Sequence, residues 1–87
     1  MMQIKKITYS RDALKTLSRM PTDAARLIRA KLEQYAAEPT SLANNVTALK
    51  GAAGYLRLRF GDWRVIFSET GEVIAVIKVA PRGGAYD

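Results

Sequence analysis

Apolar positions in the first half of the chain recur at the spacing of a short helix. Ala13, Leu14, Leu17 and Met20 lie one, three or four residues apart, with charged residues between them. This pattern predicts an amphipathic helix that buries one side. Ser10 stands immediately before it and is expected to be its N-cap.

Pro21 interrupts this pattern, and a second helical pattern follows it. Thr22 or Asp23 is expected to cap a helix that runs from about residue 24 to residue 37. The apolar stripe of this helix consists of Ala25, Ile28, Leu32 and Tyr35. Two short helices joined by a tight turn form a helical hairpin that can cover one face of a sheet.

The other apolar segments predict strands. A short first strand is expected within residues 3–9, and residues 55–60 and 63–68 alternate in the manner of a hairpin. Residues 72–81 contain the continuous apolar run 73–77. Such a run is typical of a central strand that is covered on both faces.

The segment between the helices and the hairpin, residues 40–53, contains Asn and Gly residues that are typical of a loop. Leu42, Val46 and Leu49 are expected to anchor it to the core. The resulting order is β-α-α-β-β-β, which indicates an α+β fold with a helical hairpin packed on a mostly antiparallel four-stranded sheet. With 87 residues, the chain should form one domain over residues 1–87.

Charge and composition limit the kinds of site and partner that the chain can have. The chain has 14 Lys and Arg against 8 Asp and Glu, a net charge of +6, and neither His nor Cys. Disulfides and thiolate or histidine metal sites are excluded, so we expect no metal and no cofactor. The positive charge favours nucleic acid or acidic protein as a partner. No secretory signal or bilayer-spanning run is evident, so we expect no membrane association and a cytoplasmic location.

Gly61 and Asp62 form a suitable two-residue hairpin turn, and this choice fixes the register of the two strands. Arg59 then pairs with Arg64, and Arg57 pairs with Ile66. The expected core face consists of Leu56, Leu58, Phe60, Trp63, Val65 and Phe67. The opposite face consists of Tyr55, Arg57, Arg59, Arg64, Ile66 and Ser68.

The paired arginines repel each other. At about 6 Å and an effective dielectric constant of about 20, the repulsion reaches roughly 3 kcal/mol before salt screens it. No carboxylate alternates with the arginines of these two strands. Either an anion is meant to occupy this face, or distant acids such as Glu33 or Glu38 fold back over it. Guanidinium groups match phosphate oxygens, so the first alternative points to a phosphate site.

The last strand can add to this site. Lys78 and Arg82 share one strand parity, so both are expected near the arginine cluster. The tail that follows ends with Tyr86. Such a tail is most often frayed, but its phenol could also stack on a base or reach a phosphate.

Four segments together resemble the RelE/ParE toxin superfamily. They are residues 49–51, residues 55–67, residues 79–82, and Tyr86. The resemblance is closer to the RelE branch than to the ParE branch, which acts on gyrase. It implies the toxin of a type II toxin–antitoxin system, a ribosome-dependent mRNA endonuclease that a cognate acidic antitoxin holds inactive. The ribosome and mRNA are therefore expected partners, and operator DNA could be bound through the antitoxin complex.

The resemblance also implies a set of site residues. The catalytic set is Arg57, Arg59, Arg64, Arg82 and Tyr86. The expected substrate-binding residues are Lys50, Tyr55 and Lys78. Two positions depart from the family pattern, because Arg57 stands where the best-known members have lysine, and Tyr55 occupies the place of a further lysine. Arginine is a better phosphate clamp than lysine but a poorer proton acceptor.

The implied reaction is attack of a ribose 2′-OH on the adjacent phosphorus without a metal ion. Arginines would stabilise the added negative charge, and ribosome binding would hold the message in an attack-ready shape. Two alternatives remain open at this stage. One is a ParE-like gyrase inhibitor that is not an enzyme, and the other is a non-catalytic nucleic-acid-binding module.

Overall fold

The computed structural model describes residues 5–51 and 53–81. The helical elements are α1 (Arg11–Arg19), α2 (Thr22–Ala37) and a 3₁₀ segment (Pro39–Asn45). The strands are β1 (Lys6–Tyr9), β2 (Val46–Ala48), β3 (Tyr55–Phe60), β4 (Trp63–Glu69) and β5 (Val73–Pro81). They form one sheet in the order β1-β5-β4-β3-β2, in which β1 is parallel to β5 and the other pairs are antiparallel. The α+β class is therefore confirmed.

Helix α1 begins as the sequence predicts. The Ser10 Oγ accepts a hydrogen bond from the Ala13 amide at 3.0 Å and donates one to the Ile77 carbonyl at 2.6 Å. The cap thus also ties the start of the helix to β5. Ala13 and Leu17 are buried, but Leu14 is 46% exposed. Placing Leu14 in the core stripe was wrong, because at about 100° per residue it projects sideways from the buried pair.

Helix α2 starts at Thr22, and neither Thr22 nor Asp23 caps it. Pro21 occupies the N-cap position, and no side chain makes a capping hydrogen bond. The fixed φ of proline already directs the chain into the first turn, so the helix starts without this bond. The predicted stripe is confirmed at Ile28, Leu32 and Tyr35, which are all buried.

Tyr35 links α2 to the sheet through both packing and a hydrogen bond. Its ring meets the Phe67 ring edge-on at 5.3 Å, and Phe67 is fully buried. Its hydroxyl donates to the Glu69 carboxylate at 2.8 Å, and Lys5 forms an ion pair with the same carboxylate. The polar end of an otherwise apolar contact is thereby satisfied.

Within the part of the chain that the structure describes, the sheet has five strands rather than the four predicted. The additional strand, β2, lies inside the segment predicted to be a loop and pairs with β3 through three residues. A three-residue strand is too short to show alternation in sequence, and it exists because the edge of β3 offers backbone hydrogen-bonding groups. Leu42 is buried and Val46 packs against the core, as expected.

The run 73–77 is not buried throughout, because Val73 and Ala75 are only half-buried and Ile77 is exposed, so the prediction of a strand covered on both faces was wrong. Ile74 and Val76 point into the helix-covered core, whereas Ile77 is 39% exposed. A bulge in the pairing of β4 with β5 lies beside it, between Ile66 and Phe67. Both helices therefore lie on one side of the sheet. No helix within the described residues is long and apolar enough to cross a membrane.

The Tyr35 phenol predicts a specific dependence of stability on alkaline pH. Burial, together with the hydrogen bond to Glu69, raises the pKa of Tyr35 to about 12. In the unfolded chain this phenol ionises near pH 10. Between these values the unfolded state has lost the proton and the folded state still holds it, so stability falls as pH rises. We expect Tyr35→Phe to flatten this fall in urea unfolding measured between pH 9 and 12. Parallel pH profiles for the two proteins would contradict the prediction.

Candidate functional site

The register predicted for the hairpin is confirmed at every pair. Phe60 lies opposite Trp63, Arg59 opposite Arg64, and Arg57 opposite Ile66. Gly61 has a φ of +55°, in the left-handed region that glycine enters without strain. The two-residue turn therefore determines which side chains share the face of the sheet that points away from the helices, here called the outer face.

On the outer face, the three adjacent strands β3, β4 and β5 carry four cations. One row across the sheet pairs Arg57 with Ile66 and Ile66 with Lys78. The next row pairs Arg59 with Arg64 and Arg64 with Ala80. Adjacent strands are about 4.8 Å apart, and positions two residues apart on a strand are separated by about 7 Å. We call the surface formed by Arg57, Arg59, Arg64 and Lys78 the basic face.

Arg64 is the most buried cation of the basic face. Its Nη1 donates to the carbonyls of Gly61 and Trp63, both at 3.0 Å, and the residue is only 6% exposed. Arg59 is exposed. The structure thus limits repulsion within the pair by holding one guanidinium against the carbonyl oxygens of the turn while the other stays in water. Sequence reasoning found the pair but not this burial, which depends on where the turn carbonyls point.

No outer-face position of the described strands carries Asp or Glu. Glu33 lies on the helix side, where it lines a cavity of about 340 Å³ with Arg29 and Tyr9. Glu38 is the exposed C-cap of α2. The alternative in which these two acids fold back over the arginines is therefore not what the structure adopts.

Of the other site residues predicted from sequence, some lie on the basic face and some lie at the far end of the hairpin. Lys78 belongs to the basic face, as described above. Lys50 lies in the turn after β2, and Tyr55 begins β3, both at the end of the hairpin away from Gly61. Four residues of strand, about 13 Å, separate Tyr55 from Arg59. Arg82 and Tyr86 lie outside the described residues.

Two residues that sequence reasoning missed lie beside Arg59. The Asn45 side-chain amide donates to the Arg59 carbonyl at 3.2 Å, and the Lys31 ammonium lies 5.9 Å from the centre of the Phe60 ring. Together with Leu42, Leu58 and Gly61 these residues line a cavity of about 210 Å³. The only signal for Asn45 is the pairing of Val46 with Leu58, which cannot be foreseen without β2.

The chemistry of the basic face is electrostatic. Guanidinium and ammonium groups fixed on a sheet can bind phosphate oxygens and stabilise charge that develops on them. Within residues 5–51 and 53–81, no group of three acids is arranged to hold a metal ion. The described site is thus suited to phosphate binding and transition-state stabilisation.

A protein-family model and several solved structures match this chain. The family model for the ParE toxin of the type II toxin–antitoxin system, parDE, matches residues 7–86. This chain therefore belongs to the RelE/ParE superfamily of type II toxins. No curated protein sequence matches the chain.

Three solved toxin–antitoxin complexes contain chains of the same fold. The archaeal RelE–RelB complex from Pyrococcus horikoshii OT3 is matched with 27% identity over 95% of this chain and 100% of that chain, with a TM-score of 0.77. The RelBE2 complex from Mycobacterium tuberculosis is matched with 17% identity over 94% and 95%, with a TM-score of 0.78. The intact Escherichia coli RelBE complex is matched with 18% identity over 88% of this chain and 95% of that chain, with a TM-score of 0.72.

The different burial of the paired arginines predicts different effects on stability. Arg64→Ala removes a buried guanidinium and its hydrogen bonds to two turn carbonyls, so we expect it to lower the free energy of unfolding by roughly 1–3 kcal/mol. Arg59→Ala removes an exposed cation and relieves repulsion, so a change within about 0.5 kcal/mol is expected. Urea denaturation of both variants measures this, and equal losses would contradict the geometry.

Proposed function

We propose that this toxin is a metal-independent endoribonuclease that cuts mRNA on the ribosome and thereby inhibits translation. The observation that supports this most directly is the confirmed pairing of Arg59 with Arg64 on a face whose described strand positions carry no acid. Arginines concentrated in this way suit a phosphate that gains charge during reaction. Resemblance to the RelE branch supports the same reaction class.

In the proposed reaction the ribose 2′ oxygen attacks the adjacent phosphorus, and the bond from phosphorus to the 5′ oxygen breaks. The products are a 2′,3′-cyclic phosphate and a 5′-hydroxyl end. The 2′-OH gives up a proton and the 5′ oxygen takes one up, so no co-reactant is consumed. Arg57, Arg59 and Arg64 stabilise the extra charge on the phosphate. Arg82 assists the leaving oxygen, and Tyr86 orients the substrate or takes part in proton transfer.

The proposed dependence on the ribosome follows from the side chains available. Arginine remains protonated at neutral pH and is a poor general base. Without histidine, the chain has no side chain whose ordinary pKa lies near 7. Orientation must therefore supply much of the rate enhancement, and a ribosome that holds the message in line for attack provides it. Lys50, Tyr55 and Lys78 are proposed to hold flanking parts of the message.

Cleavage should depend on Arg59 more than on a cation elsewhere. We expect primer extension on mRNA from a translating extract to show cuts at a fixed codon phase. Arg59→Gln should lower the cleavage rate by about 100-fold, the usual cost of losing one charge-stabilising group. Arg59 is exposed, so the variant should remain folded.

Arg26→Gln is the matched control, because Arg26 is exposed on α2 on the other side of the sheet. It removes the same charge and should leave cleavage unchanged. Uncut message at concentrations that stop growth would refute the nuclease proposal. Inhibition of supercoiling by purified gyrase under those conditions would instead support the gyrase alternative.

The proposed attack requires one specific oxygen of the message. Replacing the 2′-OH at the cut position with hydrogen should abolish cleavage there and leave cuts at other codons intact. Gel analysis of a message with a single such substitution measures this. Cleavage that persists at the modified position would exclude attack by the 2′ oxygen.

The proposed regulator is a cognate antitoxin with an acidic surface. The solved relatives are toxin–antitoxin complexes, and the net charge of this chain is +6. Leu27 is 50% exposed on α2, so the helical layer offers apolar surface to an amphipathic segment. Operator DNA would then be bound through that complex.

A further inference from the structure

The cavity of about 210 Å³ that is lined by Lys31, Asn45, Phe60 and their neighbours has no role in the proposed reaction. We call it the edge pocket, because it lies where strand β3 extends past the end of β2. The pairing of the two strands ends at Leu58 of β3. Arg59 and Phe60 continue β3 beyond that point, so the outer face and the helix-covered side of the sheet meet at the edge pocket.

Arg59 brings the edge pocket next to the proposed phosphate site. This residue belongs to the basic face and also lines the edge pocket. The base of a nucleotide is joined to its phosphate through a single ribose. A nucleotide whose phosphate contacts the basic face at Arg59 can therefore reach around the edge of the sheet and place its base in the edge pocket.

The inner wall of the edge pocket is apolar and partly aromatic. Leu42 and Leu58 are buried, and the half-buried Phe60 lies beside them. A cavity of about 150 Å³ with apolar walls already holds a benzene molecule. At about 210 Å³, the edge pocket has room for one nucleobase. Proteins commonly recognise single-stranded RNA by packing its unstacked bases against aromatic side chains.

Asn45 supplies hydrogen-bonding groups to the edge pocket. Its Nδ2 donates to the Arg59 carbonyl at 3.2 Å. Because a carbonyl oxygen can only accept, this bond determines which end of the amide faces the strand. The Asn45 Oδ1 accepts no hydrogen bond from any described residue, and Nδ2 carries a second N–H. Such an oriented amide matches the edge of a nucleobase, where a donor and an acceptor lie side by side.

The charge of the edge pocket favours RNA over an uncharged ligand. Lys31 lines it together with Arg59, and no acid is among the described residues that line it. The Lys31 ammonium lies 5.9 Å from the centre of the Phe60 ring, at the outer limit of a cation–π contact. Its flexible stem can therefore make way for an entering base at little cost and bring the ammonium to a flanking phosphate.

We propose that the edge pocket binds one unstacked base of the message, next to the phosphate that the basic face holds. Phe60 packs against the base, Asn45 hydrogen-bonds to its edge, and Lys31 contacts the backbone beside it. Phosphates carry no sequence information, so the basic face alone cannot select a cut position. The edge pocket thereby contributes to that selection. That the bound nucleotide belongs to RNA rests on the proposed function.

Binding of short oligonucleotides that cannot be cut tests the edge pocket separately from cleavage. One probe is a fluorescein-labelled hexanucleotide with 2′-O-methyl riboses and no bases, and the other carries a single base at its centre. For the wild-type chain, the added base should raise the affinity measured by fluorescence anisotropy roughly tenfold, within the usual contribution of one stacked base. Equal affinities for the two probes would overturn the proposal.

The pocket variant, Asn45→Ala/Lys31→Gln, should lose this gain and still bind the probe without bases. The matched control is Asn44→Ala/Lys6→Gln. Asn44 is exposed and is not among the described residues that line the edge pocket, and Lys6 is exposed on β1 at the opposite edge of the sheet. The control should keep the gain. A gain retained by the pocket variant, or lost equally by the control, would overturn the proposal.

Three other results would each overturn the proposal in favour of a different role. Weaker binding of the probe without bases by the pocket variant, with no gain from a base in the wild-type chain, would indicate a phosphate in the edge pocket. Unchanged probe binding together with weaker binding of poly-L-glutamate would indicate an acidic protein segment. A lower melting temperature together with weaker binding of both probes would indicate that Asn45 only holds Arg59 in place.

The message-cleavage assay gives a second readout. Asn45→Ala should change the ratio of cutting rates between codons by roughly tenfold, the usual value of one hydrogen-bonded base contact, whereas Asn44→Ala should keep the wild-type pattern. An unchanged pattern in Asn45→Ala would overturn the proposal. A gain in binding from the base without any cleavage would refute the nuclease proposal alone, and cleavage without that gain would refute this one.

Discussion

The pairing of Arg59 with Arg64 is the constraint on which the rest of the site depends. A two-residue turn at Gly61 and Asp62 leaves one register, and that register places two arginine residues directly opposite each other on neighbouring strands. The structure limits their repulsion by tying Arg64 to the carbonyls of the turn. Arg59 then remains the exposed member of the pair. The same turn that creates the charge conflict also holds one guanidinium in a fixed position.

The one-sided arrangement of the helices leaves this local pairing on a face of the sheet that neither helix covers. Tyr35 packs on Phe67 and bonds to Glu69, so α2 is held against the core face of β4. Ser10 joins the start of α1 to β5 in the same layer. Because both helices cover the same face, the outer face of the sheet remains available for cations. A helix on each face would have buried Arg59 among apolar groups, at a large desolvation cost.

The hairpin and the site pairs could be predicted because two strong rules apply there. Strand side chains alternate with a period of two, and the loop length fixes the register, so the pairing of Arg57 with Ile66 followed from sequence alone. Val46–Ala48 could not be foreseen, since a three-residue edge strand is determined by its neighbour rather than by its own pattern. The missing cap at Thr22 and the burial of Arg64 likewise depend on backbone geometry beyond local preference.

Fixing Arg64 also bears on how the proposed site would act on phosphate without an efficient proton acceptor. A guanidinium that already donates to two carbonyls loses little further freedom when an anion arrives. Preorganised charge needs no reorganisation at the moment of reaction, which is where electrostatic catalysis gains most over water. Proton transfer gains nothing from this rigidity, because an arginine keeps its proton. A site built from arginines on a stiff hairpin therefore favours charge stabilisation, and it leaves the alignment of the attacking oxygen to whatever holds the RNA.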